Sequence, residues 1–154
     1  MSTGFTTETA GCTLRLVDET RRWAAGLALS AGTDGSDQAG PADVTVVLER
    51  TRAGFDTAGL QPVTRGVWSD GSGVVVESAG GSGFAQHWSL DGDRLLVRAR
   101  WRPGPLELAA ARLRSRFHAL SAQVLLHYPA LWLAGTRSLA PLHASVVEVG
   151  GLGV

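Results

Sequence analysis

The sequence predicts an α+β fold: antiparallel β-hairpins first, then a long amphipathic helix, a short helix and a final strand. Three observations carry this. The runs "FAQHWSL" and "RLLVRARW" flank Asp91–Asp93, and Asp-Gly between alternating runs is a strong hairpin signal. After residue 103 the apolar period changes from two to three or four. The closing "LHASVVEV" returns to strand character.

Taken in order, residues 1–11 are polar and small and are expected to form a flexible N-terminus. "CTLRLV" alternates apolar and polar residues and predicts a half-buried strand. In "DETRRWAAGLALS", Trp23, Leu27 and Leu29 outline a short helical face that Gly26 weakens, so helix and strand both remain open there. "SAGTDGSDQAGPAD" is a loop, and "VTVVLER" is a β-branched strand. "TRAGFDTAGLQPVT" is a loop or a single helical turn. "GVWSDGSGVVVES" pairs two short strands around Ser69–Gly73. In "RLLVRARW", Leu95, Val97, Ala99 and Trp101 share one face, and Arg94, Arg98, Arg100 and Arg102 fall on the other.

The helical segment opens at Pro105, where a missing N–H costs nothing. Leu106, Ala110, Leu113, Phe117, Leu120 and Val124 mark its apolar face. From Pro105 to His127 it would be a rod of roughly 35 Å. Pro129 ends or kinks it, and "PALWLAG" makes the shorter helix, with Gly135 as its stop. These divisions give a β-rich domain at 12–103, a helical segment at 104–136 and a last part at 137–154.

Composition excludes several chemistries. The 154 residues carry 14 basic and 14 acidic side chains, for a formal charge of zero. Bulk attraction to nucleic acid or an anionic membrane therefore has no support. All the basic residues are arginine; lysine, isoleucine and asparagine are missing, as coding bias in a GC-rich genome would produce. Neither a Schiff-base lysine nor a phosphate-loop lysine exists in the chain. Cys12 is the single cysteine, has no internal disulfide partner, and reads as a small buried residue. No run approaches the roughly 18 apolar residues of a membrane span, and "MSTGFTTETAGC" lacks the basic and apolar regions of a secretory signal. A cytoplasmic protein is expected.

Candidate sites are few. His87, His118, His127 and His143 include no close helical pair with an acid, so no metal site is predicted. Ser82 in "GGSGF" is followed by a strand where a nucleophile elbow needs a helix, so no catalytic residue is assigned. Arginines are the stronger signal, because half of the 14 basic residues fall between Arg94 and Arg116. Arg98, Arg100, Arg102, Arg112 and Arg116 are candidates for an anion site, since guanidinium binds phosphate and carboxylate bidentately. Two solvated faces that do not meet would produce the same pattern.

Residues 125–154, "LLHYPALWLAGTRSLAPLHASVVEVGGLGV", resemble the segment before the phosphate loop of HPr kinase-like ATP-binding proteins, relatives of phosphoenolpyruvate carboxykinase. There, a helical region leads to a strand that begins near a "HA" or "HG" pair. A glycine turn and a second strand precede the G-x-x-x-x-G-K-[ST] loop. His143 and Ala144 match the pair, Gly150 and Gly151 the turn, and Gly153 and Val154 the second strand.

The resemblance implies the N-terminal, accessory or substrate-recognition part of an ATP-dependent serine kinase or phosphotransferase. It implies a truncated reading frame or a deliberately cut piece, whose last part belongs to an incomplete nucleotide-binding domain. ATP and Mg²⁺ are implied for the complete protein and none for this chain, which is expected to be inactive alone. His143 is the one nucleotide-proximal residue it suggests. The implied partners are the remainder of the kinase-like domain and a protein substrate. Strand 142–149 is expected to offer an unpaired edge for self-association. The alternative is a free-standing α+β binding module whose arginine-rich faces hold an acidic or phosphorylated partner.

Overall fold

The computed structural model describes residues 3–36, 40–139, 148–149 and 152–153. The fold is α+β. Its strands are β1 (Thr3–Thr9), β2 (Cys12–Asp18), β3 (Val44–Glu49), β4 (Gln61–Thr64), β5 (Val67–Ser69), β6 (Gly73–Val76), β7 (Phe84–Asp91) and β8 (Arg94–Trp101). They form one sheet in the order β1-β2-β3-β8-β7-β6-β5-β4. Helix α1 (Ala24–Ser30) connects β2 to β3. After the sheet come α2 (Pro105–Ala110), α3 (Arg114–Ala122) and α4 (Tyr128–Thr136), with a π-helical turn at Gln123–His127 joining the last two.

The meander from β4 to β8 is antiparallel throughout; β5–β6 and β7–β8 are the two expected hairpins, whereas β4 falls in the stretch 51–64 expected to be a loop or helical turn. β7 and β8 meet at the two-residue turn Gly92–Asp93, where Gly92 takes φ 63°. The middle of the sheet differs: β2, β3 and β8 run parallel, with Leu16, Val46 and Val97 in register. The β2–α1–β3 crossover makes this possible, because α1 returns the chain across one face.

Residues 3–9 are not a frayed tail. They pair with β2 over the whole of β1, and Phe5 is fully buried. Their turn is Ala10–Gly11, both at positive φ. Alanine rarely adopts that conformation, so the turn has only a weak local signal.

Helices α1, α3 and α4 cover one face of the sheet and share a single core with it. The core joins Phe5, Leu14, Leu16, Val46, Leu48, Leu95 and Val97 to Leu125, Leu126 and Leu133. Residues 12–103 and 104–136 therefore build one hydrophobic unit and not two. At one end, Trp23 meets Phe84 and Trp101 edge-on, with centroids 5.1 and 5.0 Å away, and Phe117 completes the cluster.

The expected rod from Pro105 to His127 is broken. The chain leaves helical geometry at Leu113 (φ −85°, ψ 70°). This break lets Phe117 turn into the aromatic cluster while Leu106 and Leu113 stay exposed. Of the expected apolar face, Phe117 and Val124 are buried and Leu120 is partly buried. Gly135 does not stop α4. The helix runs on to Thr136 and closes at Ser138, which takes φ 61° while the Leu139 amide bonds back to Ala134 O.

Strands β9 (Glu148–Val149) and β10 (Leu152–Gly153) form the short antiparallel hairpin expected around Gly150–Gly151. One side of the 148–149 segment is thus paired. The rest of the proposed 142–149 edge, and His143, lie outside the described residues.

Candidate functional site

Strand alternation in β8 fixes the fate of the predicted arginines. Val97 and Ala99 face the core, so Arg98 and Arg100 face the opposite, helix-free side of the sheet. Glu49 of β3 lies opposite Arg100 in the register. Arg98 Nε donates to Glu49 Oε1 at 2.5 Å and Arg100 Nε to Oε2 at 2.6 Å. Arg100 also donates to the carbonyls of Ala53 and Gly54, and its guanidinium carbon sits 3.9 Å from the Phe55 ring centroid. Burial pushes the Glu49 carboxyl up, but hydrogen bonds from Arg100 and Arg98 outweigh it and hold it below its ordinary value. These two arginines pin the loop after β3 onto the sheet.

Arg102 follows the end of β8, beside Gly54. Arg112 and Arg116 are exposed in the helical layer, on the far side of the sheet from Arg98 and Arg100. The five candidates therefore do not converge on one site.

A different arginine group does converge. Strands β2, β3 and β8 are parallel, so their carboxyl ends share one edge of the sheet. The segments that leave β2 and β3 there are "ETRRW" and "ERTR". Together with Trp101 they line a cleft of about 160 Å³ that includes Thr20, Arg22, Arg50, Thr51 and Arg52.

Asp18 organises the first wall. It is fully buried, and its Oδ1 accepts from Thr20 N (2.9 Å), Thr20 Oγ1 (2.6 Å) and Arg21 N (3.1 Å). Its Oδ2 accepts from Trp23 N (2.7 Å) and Ala24 N (3.0 Å), so the start of α1 is already capped. Arg21 takes φ 60° in this tight loop. As a result Arg22 lies across the aromatic wall, 5.1 Å from the Trp101 centroid and 5.7 Å from that of Trp23.

On the second wall, Arg50 Nε donates to the Glu19 carbonyl and ties the two segments together. Arg52 is exposed. Trp101 Nε1 is buried and has no hydrogen-bond partner among the described residues, a loss of about 1–3 kcal/mol.

The remaining candidates have structural roles. Ser82 is buried, donating to Ala79 O and accepting from Phe84 N in the turn before β7. His127 Nδ1 lies 3.2 Å from Thr9 Oγ1, His118 packs on Gly26 of α1, and His87 stacks near Phe55. Cys12 is buried; burial pushes its thiol up, and nearby Arg137 only partly opposes that. Among the described residues no group of three His, Cys, Asp or Glu side chains comes together. With no lysine in the chain, its residues do not fit Mg²⁺-ATP in the manner of a phosphate-loop enzyme.

Comparison with known protein families, with curated proteins and with solved structures found no match. No described helix is long and apolar enough to cross a membrane.

Proposed function

We propose that the chain is the recognition part of an HPr kinase-like, ATP-dependent serine kinase or phosphotransferase, and that it does not itself transfer phosphate. The observation that carries this reading is the hairpin of Glu148–Val149 with Leu152–Gly153 across Gly150–Gly151. In the family that residues 125–154 resemble, such a hairpin leads into the phosphate loop. That the sequence holds no lysine for a phosphate loop is in keeping with this division of roles. ATP and Mg²⁺ would be held by the remainder of the kinase-like domain, and a cytoplasmic location goes with this reading. The purified chain is expected to show no Mg²⁺-dependent ATP turnover in a coupled assay. Robust turnover would overturn the division of labour.

A second reading, a free-standing module for an acidic or phosphorylated partner, is favoured by the arginine-lined cleft. It predicts partner binding that falls steeply with salt.

A further inference from the structure

We infer that the cleft at the carboxyl ends of β2, β3 and β8 binds a phosphoryl group, free or as a small monoester, through Arg22, Arg50 and Arg52. The inference stands on the cleft alone and does not rest on the kinase reading. Open sheets with parallel strands place ligands outside the carboxyl ends of those strands. Here two segments far apart in sequence bring three arginines and two threonines to the lining of one cleft at that edge.

The charge balance favours an anion. Glu49, the acid that lines the cleft, is already bonded to Arg98 and Arg100. Asp18 accepts five hydrogen bonds from its own loop. Glu19 is exposed beside Arg50, whose Nε is held by the Glu19 carbonyl. Among the described residues, Arg22 and Arg52 have no carboxylate within ion-pair distance. The Arg22 guanidinium lies within cation–π distance of Trp101 and Trp23, contacts that use none of its N–H donors. Thr51 Oγ1 accepts from Ala53 N, so its O–H is oriented but unspent. The volume of about 160 Å³ is below the roughly 300 Å³ at which pockets for whole small molecules begin, so the cleft fits one phosphoryl group and not a complete nucleotide.

Indole N–H NMR signals of the full chain, titrated with inorganic phosphate and separately with O-phosphoserine at constant ionic strength, test this. The Trp101 signal, assigned by its loss in Trp101→Phe, should shift saturably. Arg22→Gln and Arg52→Gln should each weaken binding about tenfold, and Arg116→Gln should leave it unchanged. Saturation by O-phosphoserine identifies an ester as the ligand, and saturation by phosphate alone identifies the free ion; either supports the site. The inference is overturned if neither probe saturates. It also fails if chloride gives the same shift, or if the two variants, folded by their other indole signals, bind like the parent.

Discussion

Gln86 supplies the hydrogen bond that Pro129 withholds: its Nε2 donates to the Val124 carbonyl at 2.9 Å, in the buried seam between sheet and helix. In the π-helical turn the Tyr128 amide goes to Gln123 O. The next amide in that pattern would serve Val124 O, but residue 129 is proline and has none. The Gln86 Oε1 in turn accepts from Trp88 Nε1 at 2.7 Å.

Gln86→Leu should therefore cost about 2–4 kcal/mol in chemical denaturation, because it strands a buried carbonyl and an indole N–H. In a Pro129→Ala background an amide returns to the helix, and the cost should fall by about 1 kcal/mol or more. Equal costs in both backgrounds would refute the replacement.

Gly26 lets α1 approach α3. A β-carbon there would sit 2.8 Å from His118 Cε1. Gly26→Ala should destabilise by about 1–2 kcal/mol despite alanine's better helix propensity. Adding His118→Ala should recover part of that loss, read as a rise in the denaturation midpoint.

Asp43 ties three elements together. Its Oδ1 accepts from Arg137 Nη2 at 2.7 Å and its Oδ2 from Thr13 N at 2.8 Å, while Arg137 also donates to Asp93 O. The Arg137 hydrogen bond, then that of Thr13, hold its carboxyl below the ordinary value. A lowered folded-state pKa gives stability that is present above the unfolded value and lost as pH falls through the folded one. Stability of the parent should thus drop on acidification below the ordinary carboxylate range. Asp43→Asn should be less stable at neutral pH and show a shallower acid limb.

Cys12 is fully buried, with its thiol pushed up by burial. An aromatic disulfide reagent should label it at the rate of opening, many times slower than in denaturant. Immediate labelling of the native chain would contradict its placement beneath α4.

Much of the sheet was legible because its signals are local. The turn at Gly92–Asp93 and the alternation of Leu95, Val97 and Ala99 lie within one hairpin. The parallel pairing of β2, β3 and β8 was not, because register between Leu16, Val46 and Val97 is set by long-range burial. The helix break at Leu113 was hidden by a periodic apolar pattern whose first members stay exposed. The arginines were found by local density, and that density misled: Arg98 and Arg100 serve Glu49 and the loop, with Arg112 and Arg116 across the sheet. Arg22, Arg50 and Arg52 carried a subtler mark, since each lies just after the end of a strand. Only the parallel topology brings those ends together.

The most direct test of the proposed role is the coding sequence downstream of the Val154 codon, with the intact mass of the protein in its source cells. The account predicts a continuing frame that soon reaches G-x-x-x-x-G-K-[ST], and a natural product heavier than 16.1 kDa. A stop codon directly after Val154, with a native mass equal to that of this chain, would contradict it.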